Sequence, residues 1–67
     1  MFLEFRTKDK ISCLVNADNI ISVYPVGLDQ SKLYLIDENI LFLNESFSDV
    51  CAKLLDVEAK KSRTKKD

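Results

Sequence analysis

The side chains that most often carry chemistry are scarce in this chain. It has no histidine, so the commonest general base is missing. Gly27 is the single glycine, which leaves no Gly-rich loop to cradle a phosphate. Asp37 and Glu38 are adjacent carboxylates, but neighbours on a strand or turn point to different sides and do not form an acid–base pair. They read as exposed turn residues, as do Asp18 and Asp29. The expectation is a chain that is not an enzyme, with no catalytic residues and no cofactor.

Cys13 and Cys51 are the remaining reactive groups, and neither belongs to a Cys-x-x-Cys pair. Structural zinc normally takes four Cys or His ligands, so no metal site is expected. Ile11, Cys13 and Val15 share a face at the period of a strand, and Cys51 falls on a helical apolar stripe. Both thiols therefore read as small hydrophobic core residues rather than a redox pair. Two cysteines do not make a disulfide framework, and the stretch Met1–Arg6 has neither the charge pattern of a signal peptide nor the length of a span. Reduced thiols, a cytoplasmic location and no membrane insertion follow as expectations.

Two groups of side chains remain as candidates for binding. The first is basic. Residues 1–59 hold five Lys/Arg against ten Asp/Glu, a balance of −5, while Lys60, Lys61, Arg63, Lys65 and Lys66 against Asp67 give the tail +4. These five residues and Arg6 are candidate contacts for a partner protein or for nucleic-acid phosphates. A short basic end is also a plain solubilising device. The second group is aromatic. Tyr24, Tyr34, Phe2, Phe5 and Phe42 could stack bases, but a stacking platform is interleaved with Lys and Arg. Here the sequence neighbours are Ile, Leu and Val, with Lys32 and Arg6 close by, so core or oligomer interface is the better reading.

The elements that must position these groups follow from apolar periodicity. Residues 2–6, 11–15, 20–24, 32–36 and 40–43 read as strands, rich in β-branched, aromatic and aliphatic residues. The polar runs 7–10, 16–19 and 37–39 read as turns, and 27–31 as the longest loop. Pro25 either ends the third strand or places it at an edge. The period then changes: Phe47, Val50, Cys51, Leu54 and Leu55 recur at helical spacing, with Ser46 as N-cap and Asp49 three residues on. The helix is expected to end near Ala59 and the tail at 60–67 to be disordered. The fold class is α+β: a small antiparallel sheet of about five strands followed by one C-terminal helix packed on one face. Residues 1–59 form a single domain.

A chain of 67 residues buries little surface, and scaffolds below about 70–80 residues usually need a staple, a metal or a partner. The fourth and fifth strands are apolar on both faces, and one helix covers one face only. Tyr34, Ile36 and Phe42 mark the other as a candidate oligomer face. A homo-oligomer, most simply a dimer, is expected.

Two stretches carry a resemblance. Asn16-Ala17-Asp18-Asn19-Ile20 follows one strand and opens the next, and Glu45-Ser46-Phe47-Ser48-Asp49-Val50-Cys51-Ala52-Lys53-Leu54 opens the helix. Over residues 3–58 the chain resembles the FlbD-type small flagellar proteins, whose pattern is a strand, Asn-Ala-Asp-x-Ile, two or three further strands, then Glu-Ser-x-x-Glu/Asp-Val-x-x-Lys-Ile/Leu. Asp37-Glu38-Asn39 stands where that family places Asn-Gly, and the basic tail is an addition. The resemblance implies a bacterial cytoplasmic protein accessory to flagellar function; phage genomes also encode small proteins of this shape. The order of five strands and a helix is also similar to the carbon storage regulator family of RNA-binding dimers. Its Gly-Glu, Ala-Pro and Arg positions are replaced here by Lys8-Asp9-Lys10, Asp37-Glu38-Asn39 and Asn44-Glu45, and Arg6 alone is comparably placed.

The function these observations suggest is a non-enzymatic protein-binding accessory or regulatory module with an unidentified protein partner. The alternative is a small RNA- or DNA-binding regulator using the basic tail and a dimeric sheet. The acidic body decides the order, because a net −5 repels phosphates.

Overall fold

Alternating side-chain character builds two hairpin systems rather than one continuous sheet. The computed structural model describes the backbone of residues 1–66 and the side chains of residues 1–60. Strands β1 (Phe2–Arg6) and β2 (Ser12–Asn16) pair antiparallel, with Phe5 opposite Cys13 and Leu3 opposite Val15. A 3-10 turn (Ala17–Asn19) leads into β3 (Ile20–Val26), β4 (Gln30–Leu35) and β5 (Ile40–Leu43), an antiparallel meander in the order β3-β4-β5. The helix α1 spans Phe47–Lys66. The α+β class stands. The single sheet of about five strands is corrected to a two-stranded and a three-stranded sheet.

The division has a local cause. β1 and β5 come side by side at one bridge, Thr7 to Leu43, flanked by the Lys8 N–H to the Phe42 carbonyl (2.9 Å) and the Asn44 N–H to the Arg6 carbonyl (2.8 Å). β5 then ends and the chain turns toward α1, so no strand remains to pair with the rest of β1. Side chains complete the ladder instead. The Arg6 N–H donates to Glu45 Oε2 at 2.8 Å, and Lys53 Nζ donates to the Glu4 carbonyl at 2.7 Å. Backbone groups left unpaired and out of water are costly, and here two charged side chains take the place of a missing strand.

The core lies between the sheets and the helix. Phe5, Leu33, Leu43 and Val50 are buried, and Leu3, Cys13, Val15, Ile20, Val23, Leu35, Leu41 and Leu54 pack against them. Burying each of the large apolar side chains contributes roughly 1.5–3 kcal/mol. α1 packs on β3 and β4 with Val50, Leu54 and Val57 inward. Its start is fixed as the sequence suggests: the Asp49 N–H donates to Ser46 Oγ at 3.2 Å. The backbone continues helical past Ala59. The expectation of a disordered tail at 60–67 concerns side chains that, from residue 61 on, lie outside the described residues.

Three boundaries move for identifiable reasons. Ser31 is not in the loop but in β4, fully buried, where its Oγ donates to the Glu45 carbonyl at 2.9 Å. Ile11 precedes β2 instead of facing the core. It is exposed because its N–H and carbonyl close the hairpin turn on Thr7. Ile36 lies past the end of β4, and its N–H donates to the Asn19 carbonyl. Pro25 does sit in an edge strand, as its missing donor requires. Among the described residues no helix is long and apolar enough to cross a membrane.

Candidate binding surface

Once Val23, Leu33, Leu41 and Leu43 turn inward, the other side of the meander carries a different set of residues. Register places Tyr24, Lys32 and Phe42 in one row across β3, β4 and β5, and Ser22, Tyr34 and Ile40 in the next. Tyr24 is 51% exposed, Phe42 47% and Ile40 46%. Soluble proteins seldom leave this much apolar area on one face without a use for it. The Tyr24 and Tyr34 rings meet edge to face, with centroids 5.4 Å apart, and Lys32 Nζ lies 5.7 Å from the Tyr34 centroid. The rings therefore hold one another in place and present a preformed surface.

The rim of this face is polar. Lys8 stands opposite Phe42 where β1 meets β5, and the turn Asp37–Asn39 closes the far end. That turn is tied by the Asn39 N–H to Asp37 Oδ1 (3.3 Å) and by Asn39 Nδ2 to Asp37 Oδ2 (2.8 Å). Glu38 within it has φ 69°, a left-handed conformation that favours glycine.

Two clefts flank the core. One, of about 260 Å³, lies among Glu4, Phe5, Arg6, Ser12, Glu45 and Lys53. Its charges are already engaged with one another: Lys53 Nζ is 2.8 Å from Glu45 Oε1 and 4.7 Å from the Phe5 ring centroid. It is a structural junction. The other, of about 290 Å³, runs beside β3 between Ile20, Ile21, Val23, Leu54, Val57 and Glu58.

The candidates read from sequence are distributed as follows. Tyr34 and Phe42 share the outer face, and Ile36 is exposed just beyond the end of β4. Tyr24 and Ile40 complete the surface; their alternation with Val23 and Leu41 is the signal that places them there. Arg6 is on β1, with its backbone engaged by Glu45 and Asn44. Lys60 Nζ pairs with Asp56 at 3.2 Å, one helical turn back. Lys61, Arg63, Lys65 and Lys66 have side chains outside the described residues. Cys13 packs against the core, and Cys51 is half-buried on α1; both thiols are free. Among the described residues no group of three Cys, Asp or Glu gathers as a metal site.

The residues that carry the resemblance act in the structure as supports. Asn16 Oδ1 accepts the Asp18 N–H at 3.1 Å and shapes the 3-10 turn, while Glu45 and Lys53 finish the edge of β1. Comparison with known protein families, with characterised proteins and with solved structures finds no significant match to this chain.

Proposed function

We propose that this chain is a non-enzymatic protein-binding accessory or regulatory module that docks through the outer face of β3–β4–β5. The observation that carries the reading is the set of half-exposed Tyr24, Ile40 and Phe42 on one rigid face with a polar rim. An apolar centre ringed by polar groups is the anatomy of a protein interface, and aromatic residues are enriched there. The bacterial, flagellum-associated and cytoplasmic setting implied by the FlbD-type resemblance belongs to this proposal as the context in which to seek the partner.

Nucleic-acid binding is the second reading. One arrangement favours it: Tyr24, Tyr34 and Phe42 share their face with Lys32, and the tail adds +4. The body's −5 and the single cation within the face rank it second, because a stacking platform needs several cations to track the backbone.

A pull-down of the full chain from a bacterial lysate, with and without nuclease, separates the two. A protein partner that survives nuclease and is lost in a Tyr24→Ser/Phe42→Ser variant is the expected result. Capture that nuclease abolishes, or that survives the double variant, overturns the proposal.

A further inference from the structure

We infer that the first occupant of this face is a second copy of the chain, packed face to face about a two-fold axis that runs across the strands. The inference rests on the docking reading above and names the partner of that same surface.

Three observations carry it. The first is area. Tyr24, Ile36, Ile40 and Phe42 are each about half exposed or more, with Tyr34 and the Lys32 stem between them. They offer on the order of 500 Å² per copy, so about 1,000 Å² for two, the threshold for a specific interface.

The second is charge. The face has unlike ends. Lys32 and Lys8 flank Phe42 at one end, and Asp37 and Glu38 close the other. A two-fold axis across the strands exchanges the ends, so each copy's acidic turn meets the other's lysines. An axis along the strands would instead set like charges opposite each other. A self-complementary patch of this kind closes as a dimer and does not propagate. Glu38 sharpens the point: a carboxylate occupies a left-handed position where glycine would be relaxed.

The third is the edge. Self-association through β3 would need a regular free strand. β3 carries a register shift between Ile20 and Ser22, and Pro25 lacks a donor. Both devices discourage strand addition. The face is open while this edge is guarded.

The test is light scattering on the full chain, with fold monitored by circular dichroism. The expected result is a particle of twice the 7.7 kDa chain mass at high micromolar concentration. Glu38→Lys and Lys32→Glu should each weaken association about tenfold or more, because each sets like charges opposite each other. The double variant should recover it, an outcome that damage to the fold would not produce. A monomer at high micromolar concentration overturns the inference, as does a dimer indifferent to both reversals. So does a monomer that elutes with an added single-stranded oligonucleotide in a Phe42-dependent way. A monomer whose outer-face variants lose a protein partner leaves the docking reading standing while this one fails. A charge-switchable dimer whose protein capture ignores the face does the reverse.

Discussion

Glu45 and Lys53 meet at 2.8 Å and between them replace a strand. One carboxylate oxygen of Glu45 takes the Arg6 N–H, and the other binds Lys53, whose ammonium also reaches the Glu4 carbonyl. Glu45→Ala leaves the Arg6 N–H and Lys53 without their acceptor. Bonds to charged groups contribute about 1.5–3 kcal/mol, and the partial exposure of Lys53 discounts this toward roughly 1–2 kcal/mol. The urea midpoint should fall accordingly, with Glu45→Gln falling less because it keeps an acceptor. An unchanged midpoint for Glu45→Ala would show that the junction is ornamental.

Ser31 tests the same junction from β4. Its hydroxyl is fully buried and bonded to the Glu45 carbonyl. Ser31→Ala should cost about 1 kcal/mol in a denaturant melt. A gain in stability would mean that the buried hydroxyl is poorly matched to its acceptor.

The two left-handed residues separate folding from association. Lys10 (φ 68°) and Glu38 (φ 69°) sit at different hairpin tips. Glycine at either position should stabilise the fold by roughly 0.5–1 kcal/mol, the relief of strain exceeding the entropy glycine adds to the unfolded chain. Thermal melts of dilute protein should show both gains. Light scattering should show weaker dimerisation for Glu38→Gly alone. Equal effects of the two variants on association would contradict the facing arrangement.

Cys13 and Cys51 should respond unequally. Cys13 packs against the core opposite Phe5, whereas Cys51 is half-buried on the helix. Cys13→Ala is expected to cost about 1–2 kcal/mol and Cys51→Ala about half that, since the cost follows burial. A larger loss at Cys51, or loss of partner capture without loss of stability, would point to a role beyond packing.

The strands and the helix were legible because each announces itself locally. Val23, Leu33 and Leu41 alternate with outward residues, and Val50 and Leu54 recur at four. Ser46 caps because its hydroxyl answers a donor three residues away. The split of the sheet was not legible, since it depends on Glu45 meeting Arg6 across 39 positions. Read alone, Glu45 is a carboxylate near a helix start. Ser31 misled for the same reason: its acceptor is 14 positions on, and without it serine reads as loop. Half of the outer face was visible in Tyr34 and Phe42. Tyr24 and Ile40 needed the register, which no single strand contains.

The reach of Lys53 also sets when this chain becomes itself. The Glu4 carbonyl waits for a partner 49 positions downstream, and loop closure over such a span precedes any return from the contact. On a ribosome the first hairpin would emerge long before the groups that finish its edge. That hairpin alone is marginal in water. Folding is therefore deferred until synthesis of α1 is well advanced, and a chain interrupted before Lys53 should be read by the cell as unfolded.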